Sequence, residues 1–100
     1  MIGMRRIINK EVLRAQRGKP CVICAAPGVG HHVKSKGSGG DDKESNLMPL
    51  CLNHHNLGGD SVHRIGLKEF AQRFKKVENW LIDNNWEKCE ISGKWFNSGV

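Results

Sequence analysis

A chain of 100 residues with 38% hydrophobic and 6% aromatic residues, and no tyrosine, buries only a modest core. That size predicts one compact domain over residues 1–100, stapled by a metal or a disulfide. The formal net charge of +6 and the sequence pI of about 9.4 suit a polyanionic partner, although a solvated basic face has the same charge. No run is apolar for long enough to cross a membrane. The stretch MIGMRRIINKEVLRAQRGK lacks the apolar segment and small-residue cleavage site of a signal peptide. The expected location is therefore cytoplasmic, where thiols stay reduced. There Cys21, Cys24, Cys51 and Cys89 suit metal ligation better than disulfides.

In chain order, residues 7–17 place Ile8, Val12, Leu13 and Gln16 at helical spacing, and Gly18 and Pro20 end that helix. Cys21–Cys24 forms a tight turn. Residues 25–33 begin as a loop and become a strand near His31–Val33. Residues 34–45, KSKGSGGDDKES, read as a polar loop. In it Asp41, Asp42 and Glu44 are expected as solvated charges without a catalytic role. The apolar run Leu47–Leu50 contains Pro49, which argues against a long central strand. A helical stretch runs from Cys51 through His55 and stops at Gly58-Gly59. A further helix covers Leu67–Phe74 with Leu67, Phe70, Ala71 and Phe74 on one face. Another covers Val77–Ile82 and ends at Asn84-Asn85. The tail WEKCEISGKWF alternates around Ser92-Gly93 as a β-hairpin does. The core is thus expected over residues 21–63, with helices and hairpin over 67–96.

Two short patterns carry chemistry. Cys21-Val-Ile-Cys24 is a C-x2-C pair and Cys51-Leu-Asn-His54 a C-x2-H pair. Together they supply a tetrahedral Zn²⁺ set, each spacer letting one turn present both donors. The fourth ligand is His54, with the adjacent His55 as the alternative. Cys89, in the hairpin, is expected as a packed free thiol. The alternative for the other three is buried free cysteine acting as a small apolar residue. The second pattern is that all five histidines fall between residues 31 and 63. Successive strand residues point to opposite faces, so His31 and His32 have separate tasks. His31, His55 and His63 then converge as nitrogen ligands of one divalent ion, leaving its charge uncompensated and coordination positions free for phosphate and water.

The run HHVKSKGSGGDDKESNLMPLCLNHHN resembles the HNH endonucleases. In that family a histidine doublet is followed by a central Asn and a final His on a helix, with a cysteine knuckle alongside. The phrases RGKPCVIC, NLMPLCLNHH and SVHRIGLKEFAQRF look most like small phage-borne members, including the recombination-enhancement nucleases. The resemblance covers roughly residues 9–96. It implies an α+β protein with a ββα-metal (His-Me finger) core, a structural zinc knuckle, flanking helices and a C-terminal β-hairpin. It implies His32 as general base, Asn46 bonding across the ββ loop to hold His32, and His31, His55 and His63 on the catalytic ion. The activity implied is metal-dependent hydrolysis of DNA, in a bacterial or phage-infected cell, with bacteriophage origin. The all-nitrogen ligand set suits transition metals better than a carboxylate set does, so Mn²⁺, Ni²⁺ or Zn²⁺ join Mg²⁺ as catalytic candidates, beside the structural Zn²⁺.

Substrate contacts are expected from Lys34, Lys36, Arg64, Lys68 and Arg73, and from Arg5 and Arg6. No recognition helix or repeated finger is visible, so phosphate contacts dominate and sequence preference is weak. The expected partner of a monomeric chain is DNA, double- or single-stranded, and no membrane. A non-catalytic zinc-binding nucleic-acid module is the second reading. It shares the knuckle and the basic charge, but needs no cluster of His31, His32, His55 and His63.

Overall fold

The Asn9 side chain sets the start of the first described helix. It caps helix α1 (Lys10–Gln16), its Oδ1 accepting the N–H groups of Glu11 and Val12 at 3.1 and 3.2 Å. The computed structural model describes residues 7–97 and residue 99, so Arg5 and Arg6 lie outside the described residues. The helix begins later than the predicted 7–17, because residues 7–9 are extended and bonded elsewhere. The Ile7 N–H donates to Asp41 Oδ1 and the Asn9 N–H to Asp42 Oδ2, while Ile7 C=O accepts from the Asp42 N–H. Gly18, with φ of 80°, turns the chain out of α1.

Strand β1 (Val29–His32) pairs antiparallel with β2 (Leu47–Leu50), in a register that sets His31 opposite Met48 and His32 opposite Leu47. The strand starts before the predicted His31–Val33, since Val29 and Gly30 already pair with Leu50 and Pro49. Pro49 is accommodated in this two-stranded sheet, and its carbonyl accepts from the Val22 N–H in the knuckle. The connecting loop doubles back so tightly that a Cβ on Gly40 would lie 1.8 Å from the Lys34 carbonyl oxygen. After Cys51 comes a single π-helical turn, Asn53–Leu57, closed by the Gly58 N–H on the Asn53 carbonyl at 2.8 Å. This replaces the expected α-helical stretch. Such turns are rare and recur at functional sites.

Helix α2 (Val62–Arg73) is two helical pieces joined at a kink, the second beginning at Leu67 as expected and the first a short turn before Gly66. Gly66, at φ 82° and ψ 158°, breaks the helical geometry between the two pieces. Helix α3 (Lys75–Asp83) follows, then a second two-stranded antiparallel sheet of β3 (Glu87–Lys88) and β4 (Trp95–Phe96), which forms the expected hairpin. The result is a small α+β fold with helices and two small antiparallel sheets. Met48 and Leu50 from β2, Phe70 and Ala71 from α2, Val77 and Leu81 from α3, and Trp86 form its core, together with Cys21 and Cys51. Burying a side chain such as Phe70 stabilises the fold by about 3 kcal/mol. None of the described helices is long and apolar enough to cross a membrane.

Candidate metal centres and catalytic cleft

The first cluster is the Cys3His set. The donor atoms of Cys21, Cys24, Cys51 and His54 all lie within 4.8 Å of one another. The Cys24 and Cys51 sulfurs are 3.7 Å apart, and His54 Nδ1 is 3.6 Å from Cys21 Sγ and 3.2 Å from Cys51 Sγ. Zn–S bonds of about 2.3 Å at tetrahedral angles separate their ends by about 3.7 Å, so the spacing fits zinc. Loop geometry produces it. The Cys21 N–H binds the Ala26 carbonyl, the Ala25 N–H binds the Cys21 carbonyl, and Ala25 takes a φ of 64°. Burial raises the pKa of the Cys21 thiol, but the backbone groups of Cys24, Cys51 and Ile23 together with the Cys24 thiol outweigh it and bring it to about 6. A thiol ionised near neutrality is ready to ligate. All four cysteines are free thiols, and half-buried Cys89 stands apart in the hairpin.

The cluster also separates His54 from His55. His54 joins the cysteines, with its ring edge on Phe74 at 5.5 Å, whereas His55 belongs to a second group with His31 and His63. In that group His55 Nε2 and His63 Nε2 are 2.9 Å apart, and the His31 ring meets each of theirs edge-on at 5.1 Å between centroids. The three donor nitrogens lie within 4.8 Å of one another. Three secondary elements converge here: β1 brings His31, the π-helical turn His55, and the unpredicted first turn of α2 His63. Burial, and then the neighbouring His55, His63 and His32, push the pKa of His31 down to about 3. Burial and His63 lower that of His55. Rings kept neutral offer lone pairs to a cation, and two nitrogens 2.9 Å apart suit adjacent positions around one ion. The donor set therefore fits a divalent transition metal.

His32 turns away from that cluster. Its Nε2–H donates to Asp42 Oδ1 at 2.8 Å, and the Asp42 side chain is fully buried. The expectation that Asp42 is a solvated loop charge is therefore wrong. The lead-in to α1 folds over the loop, and Asp42 receives both the Asn9 N–H and the His32 ring. Asp41 is not freely solvated either, since it accepts the Ile7 N–H and lies 3.5 Å from Lys43. Glu44 is exposed, as expected. Asn46, fully buried, does bond across the ββ loop: its Oδ1 accepts the Lys34 N–H and its amide donates to the Lys34 and Asp41 carbonyls. It thus holds the loop, while the direct partner of the His32 ring is Asp42.

His31, His32, His55 and His63 line one open cleft of about 710 Å³. Its walls are apolar (Leu13, Val29, Val33, Val62, Leu67), Arg17 and Lys36 stand in it as cations, and among the described residues no carboxylate lines it. Arg17 was missed by sequence reasoning, which saw it only as the end of a helix. The other predicted cations divide. Lys34 lines an adjoining cavity. Arg64 Nε approaches the Asn56 carbonyl at 3.5 Å. Lys68 packs where a Cβ on Gly93 would sit, against the hairpin turn. Arg73 is paired with Asp60 at 2.6 Å and Glu69 at 2.7 Å, all three side chains standing partly exposed. Comparison of the chain with protein-family models, curated proteins and solved structures finds no match.

Proposed function

We propose that this protein is a metal-dependent endonuclease of the HNH kind, with a ββα-metal core, that hydrolyses DNA phosphodiester bonds. One observation carries the reading: three histidine nitrogens converge within 4.8 Å in a cleft that also contains His32 held by buried Asp42. A structural zinc site does not need that second constellation.

The chain's own residues divide the work. Arg17 and Lys36 attract the phosphates in a cleft without opposing carboxylates. His31, His55 and His63 would hold the catalytic cation, whose chemistry when bound is to offset charge on the phosphate and the leaving oxygen. Asp42 keeps the His32 proton on Nε2, leaving Nδ1 as the basic nitrogen. A water oxygen bonds to phosphorus while its proton passes to His32 Nδ1. The P–O3′ bond breaks and the 3′ oxygen takes a proton from solvent, giving a 5′-phosphate and a 3′-hydroxyl. The zinc set of Cys21, Cys24, Cys51 and His54 holds the π-helical turn that carries His55.

The test is plasmid cleavage with Mg²⁺, Mn²⁺, Ni²⁺ or Zn²⁺, comparing wild type with His32→Ala. A general base contributes about 10²- to 10⁴-fold, and a loss of that size is expected. Full activity in the variant overturns the assignment of the base. No cleavage with any metal turns the reading to a non-catalytic zinc-binding nucleic-acid module.

A further inference from the structure

Beside the histidine cleft lies a second cavity, of about 370 Å³, with a different lining. It is walled by Trp86, Trp95 and Phe96, with Lys34 and Asn97 as its polar members. The two cavities share walls, because Val33 and Leu67 line both.

The aromatic wall is held in place. Trp86, 5% exposed, donates its indole N–H to the Ser45 carbonyl at 2.7 Å and forms the fixed floor. Trp95 is partly buried against the core, and Phe96 remains 50% exposed. The Asn97 amide donates to the Asn84 carbonyl at 2.9 Å and fixes the end of β4. The hairpin turn closes through the Cys89 N–H on the Lys94 carbonyl and the Gly93 N–H on the Cys89 carbonyl. A half-exposed phenylalanine in a prearranged aromatic cavity, with a lysine in its wall and a net charge of +6 on the chain, matches a recognised chemistry. Unpaired bases stack on aromatic faces while cations follow the backbone that links them. Paired bases keep their faces stacked within the duplex and cannot use such a wall.

We infer that the cavity of Trp86, Trp95, Phe96 and Lys34 is a subsite for an unpaired DNA nucleobase adjoining the phosphate in the histidine cleft. The inference rests on the nuclease reading and sharpens it. The preferred substrate carries an unpaired nucleotide next to the cut, as a single strand, a flap or a gap edge does.

The experiment measures binding of the zinc-loaded protein without added divalent metal, by fluorescence anisotropy. Three labelled probes of equal length are compared: oligothymidylate, a blunt duplex, and an abasic single strand that keeps the phosphates and lacks the bases. Oligothymidylate is expected to bind tightest. Phe96→Leu and Trp95→Leu are expected to weaken it about 5- to 100-fold, with the abasic strand unaffected, while Trp95→Phe retains binding. Zinc content and circular dichroism report the fold of each variant. If Trp95→Leu misfolds, Phe96→Leu carries the test alone, since its side chain is half exposed. Equal binding of abasic and thymidylate strands, or an unchanged Phe96→Leu, overturns the subsite. Plasmid cleavage, run separately, distinguishes the two failures. Cleavage without base-dependent binding removes the subsite alone. Base-dependent binding without cleavage under any metal keeps the base site and removes the nuclease.

Discussion

The buried carboxylate of Asp42 joins the His32 ring to the cap of the first helix, Oδ1 taking the ring N–H at 2.8 Å and Oδ2 the Asn9 N–H at 2.9 Å. Each oxygen serves a different element, so the same side chain both orients the proposed base and anchors residues 7–9. Asp42→Asn leaves one oxygen acceptor where two are needed. Cleavage is expected to fall about 10- to 100-fold, mainly in kcat, because the ring loses its fixed tautomer while the phosphate contacts remain. Steady-state kinetics checks this, and a change confined to KM would count against it.

The Cys3His set predicts one tightly held zinc per folded chain. Cys24→Ser is expected to lose that zinc and to lower the thermal midpoint sharply, because binding free energy at a structural site is folding free energy. Cys89→Ser, outside the set, is expected to keep full zinc content. Metal analysis after gel filtration, paired with thermal denaturation, measures both.

The second cluster predicts a separable metal. His55→Ala and His63→Ala are each expected to retain the structural zinc and to bind added Mn²⁺ or Ni²⁺ about 10- to 100-fold more weakly. Calorimetric titration of the zinc-loaded variants reads this directly. His54→Ala is expected to do the reverse and lose the structural zinc.

His31 predicts a pH dependence. Burial, with the neighbouring histidines, lowers its pKa from 6.5 to about 3 in the fold. Across that window the unfolded chain takes up a proton that the folded chain refuses, so stability is greatest above about 6.5 and falls as pH drops toward 3. His31→Gln removes this contribution. Denaturant midpoints from neutral to mildly acid pH, without added divalent metal, are expected to fall less in the variant than in the wild type.

Charge pairing separates the cations. Arg17→Ala and Lys36→Ala are each expected to weaken DNA binding and to reduce the dependence of log K on log salt by about 0.9 for a lost duplex phosphate contact. Arg73→Ala is expected to leave that slope unchanged, since Asp60 and Glu69 already compensate its charge. Exposed pairs of this kind contribute little to stability, so the variant should also fold normally.

What could be read from the sequence depended on how local the cause was. The two-residue spacers of Cys21-x2-Cys24 and Cys51-x2-His54 impose their own geometry, and the cluster forms as the spacing predicts. The spacing also selects His54 over His55 as the fourth member, and the two rings do turn to different clusters. Asp42 was misread for a non-local reason: its burial comes from Ile7 and Asn9, far earlier in the chain, closing over a loop whose composition reads as solvated. The helix from Leu67 is legible because Gly66 ends the short turn before it with a non-helical backbone, while that short turn is too brief to show a periodicity.

The π-helical turn has one more consequence, for how the chain can change in length. His54 and His55 are neighbours in sequence, yet one faces the sulfur cluster and the other the nitrogen cluster. An inserted or deleted residue between Cys51 and His55 would swing one ring out of its cluster, so that segment has a fixed length.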